Sequence, residues 1–483
     1  QHGRVKLKST AQQEEEKRKE REKKLKIYVA TRDACFNKRK EGAMDDEALQ
    51  LTQQLLSANP DFATLWNYRR EILMHLETVK EEDEVQKQFD AELVFLETCL
   101  RVNPKSYGCW YHRGWVCGRQ PKPNWTRELS LCDECLARDD RNFHCWDYRR
   151  MVVKESGVPV DQELQFTDRL IGSNFSNYSS WHYRSTLLPL LHPQSPDLPE
   201  QLLKEYELVQ NAFFTDPNDQ SAWFYYRWLL GRGVCLCLCA PGYLFLDLSM
   251  STRAIFDLTL FPCFLSSGAS ELSVEKTSVL QSELQSCNQL MELEPENKWC
   301  LLTIILLMRA LDPLGYEKET LAHFQKLKEV DSMRSSYYSD LCSKFMIENT
   351  ILKMEYAEVR VFSISEKNLS TLCHLDQLLL VTHMNLCSNQ LSRIPPQFSM
   401  LQCLEVLEVD DNLIESLDGL SNLPKLEELS LKNNQISKIS QLEPLASCPK
   451  LTRLDLRGNP ITKTDNIPAE LSELLPSVTD LML

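Results

Sequence analysis

At 483 residues the chain exceeds the size at which one hydrophobic core stops growing, which excludes a single small domain and calls for several domains or a repeat array. Its formal charge of −15 excludes a general nucleic-acid binder, whose affinity comes from Lys and Arg on phosphates, and leaves room only for a local basic pocket. Apolar and charged contents of 43% and 25% are those of a soluble globular protein, and 14 glycines are few for a loop-rich or doubly wound fold.

The 18 cysteines are scattered and the N-terminal stretch is charged, with no secretory signal. The thiols are therefore expected to be reduced, in a cytoplasmic protein without a disulfide framework. Cys235, Cys237 and Cys239 form a C-x-C-x-C run in a strand-like segment, but no second pair at zinc-finger spacing lies behind it, so it reads as local sequence.

Residues 1–44 are a charged arm. Within it, RVKLKSTAQQEEEKRKEREKKL (4–25) holds nine basic and five acidic side chains, the pattern of a solvated helix or frayed tail. From 45 to 233 a repeat follows. Aligned on Trp, its copies are NPDFATLWNYRR (59–70), NPKSYGCWYHRG (103–114), DDRNFHCWDYRR (139–150), SNFSNYSSWHYR (173–184) and DPNDQSAWFYYR (216–227). Each carries a Trp and an Arg: Trp66/Arg69, Trp110/Arg113, Trp146/Arg149, Trp181/Arg184 and, displaced by one, Trp223/Arg227. Trp-to-Trp spacings of 44, 36, 35 and 42 residues predict an α-solenoid of stacked helical hairpins. An amphipathic helix such as DEALQLTQQLLSAN (46–59) opens each hairpin, and the Trp stands near the start of the second helix. Residues three apart share a helix face, so Trp and Arg are expected to be architecture: the indole fills the core between hairpins and the guanidinium bonds loop carbonyls or acids of the next repeat.

Residues 234–270 interrupt the array. The segment is apolar, but Pro241, Gly242, Asp247, Arg253 and Asp257 break it, and it offers no transmembrane run of about 20 apolar residues; an inserted element with β character is expected. Residues 271–350 hold a degenerate sixth copy, EPENKWCLLTII (294–305), with Leu302 at the Arg position and closing helices behind it. From 358 to 483 the period shortens. The Asn residues of M-x-L-x-x-N-x-L and its successors, Asn389, Asn412, Asn434 and Asn459, lie 23, 22 and 25 apart, and a weaker copy precedes them at 361–369. This predicts leucine-rich repeats, each a short strand plus a return segment. The fold class is thus mostly α, a solenoid of helical hairpins followed by an α/β leucine-rich domain.

Where one copy departs from the others, chemistry is more readily sought than architecture. Five residues before the Trp stand Asp61, Lys105, Arg141, Ser176 and Asn218. Three before it stand Ala63, Tyr107, Phe143, Tyr178 and Gln220, and two before it the third copy has His144. Stacked hairpins would bring Lys105, Tyr107, Arg141 and His144 to one rim beside helix N-termini, an arrangement suited to an anion.

The five W-x-x-R hairpins, with N-P-K-x-Y in the second and N-F-H-x-W in the third, resemble the α-subunit repeats of protein prenyltransferases. The C-terminal leucine-rich domain resembles that of the type II (Rab geranylgeranyltransferase) branch. The resemblance spans nearly the whole chain and departs at 234–270, which is too short for the immunoglobulin-like domain of animal members and stands as a lost or truncated version of it. It implies an enzyme active only as a heterodimer with a β subunit that holds the catalytic zinc. Geranylgeranyl diphosphate is the lipid substrate, and the acceptors are C-terminal cysteines of Rab GTPases presented by Rab escort protein, attacking as thiolates. The family motif assigns Lys105 to the departing diphosphate, whose charge grows in the transition state. Tyr107 and His144 line the same edge, and Phe143, where relatives carry Tyr, only packs. A neutral imidazole being a good zinc ligand, His2 on the polar arm is a candidate self-inhibiting ligand to the partner's zinc. The rival expectation is a non-catalytic adaptor built from the same two repeat domains.

Overall fold

The computed structural model describes residues 11–191, 198–235, 274–354, 360–463 and 467–483. His2 lies outside the described residues, as does the 234–270 insert from 236 onward, with Cys237 and Cys239. Cys235 is the last residue of a helix rather than part of a strand. The chain divides into two compact units, residues 1–209 with 224–229, and residues 210–223 with 230–483.

In the first unit α1 (Ala11–Lys40) precedes a run of hairpins: α2 (Asp46–Ala58) with α3 (Ala63–Val79), α4 (Glu82–Val102) with α5 (Tyr107–Cys117), α6 (Trp125–Arg138) with α7 (Phe143–Ser156), and α8 (Val160–Ser173) with α9 (Tyr178–Leu187). Then come α10 (Leu198–Thr215) and α11 (Gln220–Cys235), each divided between the units. Local sequence sets these boundaries. Asp45 caps α2 by accepting the Ala48 N–H, and Ala48, Leu49, Thr52, Leu55 and Leu56 bury one face of it, the spacing of an amphipathic helix. Ser106, Asn142 and Asn177 cap α5, α7 and α9 in the same way.

The Trp column is buried at Trp66, Trp110, Trp146 and Trp181. Each indole N–H donates to the carbonyl six residues earlier, on Pro60 (2.7 Å), Pro104 (2.8 Å), Asp140 (2.9 Å) and Phe175 (2.7 Å). Two of these carbonyls accept a second bond from the following repeat: Ser106 Oγ reaches Pro60 O at 3.1 Å and Asn142 Nδ2 reaches Pro104 O at 2.9 Å. Both lone pairs of one oxygen therefore work, one closing a turn and one joining two repeats. Packing here is close enough to dictate a glycine: a Cβ on Gly108 would stand 2.7 Å from Trp66 Cδ1 and Nε1.

The Arg column meets a column of glutamates. Arg69 grips Glu92 with two bonds (2.5 and 2.6 Å), Arg113 grips Glu128 (2.7 and 2.7 Å), Arg149 grips Glu163 (2.9 and 2.6 Å) and Arg184 grips Glu205 (2.6 and 2.6 Å). Each Glu comes from the first helix of the next hairpin. Each also accepts from that hairpin's second helix, from His112 Nε2 (2.8 Å), Tyr148 OH (2.6 Å), Tyr183 OH (2.9 Å) and Tyr225 OH (2.6 Å) in turn. Arg69, Arg113 and Arg184 add a bond to a first-helix carbonyl, on Leu49, Leu93 and Leu164. All four glutamates are buried, a placement tolerated because bidentate partners satisfy the charge. In the fifth copy the displaced Arg227 lies over the Phe224 ring, 5.2 Å from its centroid.

In the second unit Trp223 repeats the indole motif on Pro217 O (2.9 Å), which also accepts from Asn297 Nδ2 (2.7 Å). The helices α12 (Val274–Leu293), α13 (Lys298–Leu311), α14 (Glu317–Val330) and α15 (Ser335–Lys353) pack in sequence. Leu302, at the Arg position, is buried with Leu301, Ile305, Phe324 and Phe345; α13 thus replaces the ion pair with hydrocarbon. Beyond it lies one parallel sheet in chain order, β1 (Val361–Ser363), β2 (His383–Asn385), β3 (Val406–Glu408), β4 (Glu428–Ser430), β5 (Arg453–Asp455) and β6 (Asp480–Met482). In register, Phe362, Met384, Leu407, Leu429, Leu454 and Leu481 face a leucine-rich core, which the short α16 (Ile467–Leu474) helps to cover. The Asn ladder turns the chain after each strand. Asn412, for example, accepts from Leu391 N (3.0 Å) and donates to Leu386 O, Val409 O and Asp410 O (3.0, 3.1 and 3.0 Å). The expected fold class is the observed one. Among the described residues no helix is long and apolar enough to cross a membrane.

Candidate functional site

The turn before α5 and the turn before α7 meet at one edge of the first unit. Asn103 opens the first turn, its Oδ1 accepting the Lys105 N–H at 3.1 Å. Asp139 opens the second, its Oδ1 accepting the Arg141 N–H at 3.2 Å. These are the Asx turns that recur at Asn59, Asn174 and Asp216. Lys105 therefore leaves the chain in a fixed backbone, with a side chain 62% exposed, and its Nζ lies 3.1 Å from Asp139 Oδ2.

Tyr107, the first residue of α5, is 71% exposed, and Phe143, the first of α7, is 53% exposed. Between them sits His144, only 6% exposed, with the Tyr107 ring edge-on at 4.2 Å between centroids and the Phe143 ring at 4.0 Å. Burial lowers the pKa of His144; Asp147 opposes that shift and the Lys105 charge adds to it. The imidazole is neutral at pH 7, able to accept or donate one hydrogen bond but carrying no charge. The edge thus presents one exposed ammonium, paired with Asp139, beside two exposed aromatic rings and a neutral, buried imidazole. Such a group can stabilise an anion that develops charge against an apolar wall.

Lys105, Tyr107 and His144 come together as the sequence reading expects, but Arg141 does not join them. Its guanidinium donates to Ser176 O at 3.0 Å, toward the fourth repeat, one repeat further along the stack than the contact of Lys105 with Asp139. Two features escaped the sequence reading. One is the glutamate column, whose members Glu92, Glu128, Glu163 and Glu205 keep the 36, 35 and 42 spacing of the Trp residues. The other is Asp139 beside Lys105. Among the described residues no three His, Cys, Asp or Glu side chains gather as a metal site.

The protein prenyltransferase alpha subunit repeat matches residues 45–76, 89–120, 125–156, 160–191 and 202–233, and leucine-rich repeat models match 380–436 and 424–469. The chain is 53% identical to the human geranylgeranyl transferase type-2 subunit alpha, with all of both chains covered. It belongs to the family of geranylgeranyl transferase type-2 alpha subunits. The mouse member is 50% identical, again over all of both chains. The member from Dictyostelium discoideum is 32% identical over 71% of this chain and 99% of its own. The human alignment runs to 573 positions against 483 residues here, so that relative carries residues for which this family member has no counterpart.

Proposed function

We propose that this chain is the α subunit of a protein geranylgeranyltransferase and that Lys105 acts on the diphosphate leaving group. In this reading the chain pairs with a β subunit that holds zinc and binds geranylgeranyl diphosphate, and the complex prenylates C-terminal cysteines of Rab GTPases delivered by Rab escort protein. Lys105 supports it: an ammonium fixed at its backbone by an Asx turn, exposed at its tip beside Asp139, and bordered by Tyr107 and His144. As the allylic C–O bond breaks, negative charge gathers on the diphosphate oxygens, so a cation set there stabilises the transition state more than the bound substrate. Tyr107 offers a hydroxyl donor and a ring face at the same edge. His144, neutral and packed, orients Tyr107 and Phe143 and leaves the charge to Lys105. The fold does not require this lysine, since other repeats place Asp, Arg, Ser or Asn at its position.

Single-turnover prenyl transfer by the complex with the β subunit tests the reading. Lys105→Ala should leave heterodimer formation and zinc content unchanged and slow transfer by ~10²–10³, with a smaller effect on lipid affinity. Transfer at the parental rate would remove the diphosphate role and favour an adaptor without chemistry of its own.

A further inference from the structure

We infer that Asp139 is the positioning residue for Lys105, a role that rests on the diphosphate reading of that lysine. Twice the Asn that opens a turn donates to a carboxylate of the preceding turn, at that turn's third residue in one case and its second in the other, and at one place the polarity of the link is reversed. Asn103 Nδ2 donates to Asp61 Oδ2 of the preceding turn at 2.9 Å, and Asn174 Nδ2 donates to Asp140 Oδ2 at 2.8 Å. In both an amide gives a proton back to a carboxylate. Between the second and third turns the amide position is Asp139, and the residue it faces is the cation Lys105, 3.1 Å away. The link between turns is kept, but its charge is exchanged so that an ammonium can stand on the rim.

Asp139 is built to hold still. Its N–H donates to Cys135 O at 3.0 Å, its carbonyl accepts from Asn142 N at 3.1 Å, and Oδ1 takes the Arg141 N–H. Only Oδ2 is left for the lysine, so its position is set by three contacts in its own turn. An ammonium has three N–H donors; one spent on Asp139 leaves two for the oxygens of a diphosphate. A lysine side chain otherwise samples many rotamers. Tethering its tip to a rigid carboxylate restricts that sampling to the neighbourhood of Asp139. Asp139 thus acts through Lys105 and itself touches no reacting atom. Proximity of this kind acts on the chemical step, because a misplaced group loses transition-state contact before it loses ground-state binding.

The test is a double-variant cycle in the complex with the β subunit. Asp139→Asn is the fitting change, because Asn makes the same Asx turn at 59, 103 and 174 and only the carboxylate facing Lys105 is lost. It should form the heterodimer normally, slow single-turnover transfer by about 10-fold, and alter geranylgeranyl diphosphate affinity by less than about 3-fold. Added to Lys105→Ala, it should slow transfer no further. Transfer by Asp139→Asn at the parental rate would overturn the positioning role. So would an equal slowing in both backgrounds, which would mean that Asp139 acts through the fold. If Lys105→Ala alone transfers normally, the diphosphate reading has failed first and the positioning role falls with it.

Discussion

Removing Glu92 should be among the costliest single changes in the helical array. Glu92 receives both arms of Arg69 and the His112 Nε2, and all three side chains are buried. Burial by itself would raise its pKa, but the charge of Arg69 and the hydrogen bonds from His112 and Arg69 outweigh it and bring the carboxyl down from 4.5 to about 2. A carboxylate whose folded pKa lies below its unfolded one stabilises the chain above the unfolded value, and that contribution drains away as pH falls through the folded value. The window here runs from 4.5 down to about 2, and the contribution is about 3 kcal/mol. Glu92→Ala removes it at every pH and strands the Arg69 guanidinium with only Leu49 O and Thr52 Oγ1 as hydrogen-bond acceptors, for an expected loss of about 3–5 kcal/mol. Arg69→Met with Glu92→Leu takes both charges away and should recover most of that loss. Urea denaturation of the full chain, followed by far-UV circular dichroism at pH 7, reads all three proteins. A cost of less than about 1 kcal/mol for Glu92→Ala, or a paired replacement as unstable as the single one, would refute the stabilising role of the buried pair.

Asn412→Ala should break four bonds to backbone groups of the leucine-rich ladder, three of them buried, and cost at least about 2–3 kcal/mol; Asn412→Asp should not restore it, because the lost Nδ2 donor serves three carbonyls, and melting of the two variants checks this. His374 bonds Glu348 at 3.1 Å, and hydrogen bonds to Cys373 and Glu348 raise its pKa from 6.5 to about 10. A raised folded pKa means stability present in full below pH 6.5 and lost as pH rises through about 10, so His374→Ala should flatten the melting temperature's dependence on pH across that window.

The sequence exposed the columns built from rare residues and hid those built from common ones. Nine Trp in 483 residues make a recurring Trp visible at once, and with it the hairpin period, the Arg three residues on and the fold class. The Asn ladder was legible because leucine spacing frames each Asn. Glu92, Glu128, Glu163 and Glu205 keep the same period, yet they stand among 69 acidic residues, and a solvated Glu and a buried one are the same letter. His112 shows the limit from the other side: it stands two residues after its Trp, as Tyr148, Tyr183 and Tyr225 do, but only the shared glutamate contact shows that one histidine and three tyrosines do the same work. At the candidate site Lys105 stood out by differing from its counterparts. Asp139 did not, because Asp and Asn make the same turn, and the distinction lies in which atom faces the neighbouring repeat.

Under the proposed function, that distinction lets a stacked array carry chemistry without risking its fold. The interior columns are interlocked: each Glu answers to an Arg and to a Tyr or His from different helices, so a single exchange leaves buried charge unpaired at a cost of several kcal/mol. The rim turns carry exposed bonds, such as Asn103 to Asp61 and Asn174 to Asp140, each worth about 1 kcal/mol, beside inner links such as Ser106 and Asn142 to the Pro60 and Pro104 carbonyls. Reversing the polarity of one such bond costs the stack little, because Lys105 and Asp139 still join their turns. It gains a fixed ammonium where the other turns offer a carboxylate, a guanidinium, a hydroxyl or an amide. A reactive position is therefore expected on the rim, at a turn whose backbone the interior already holds, which is where the proposed function sets Lys105.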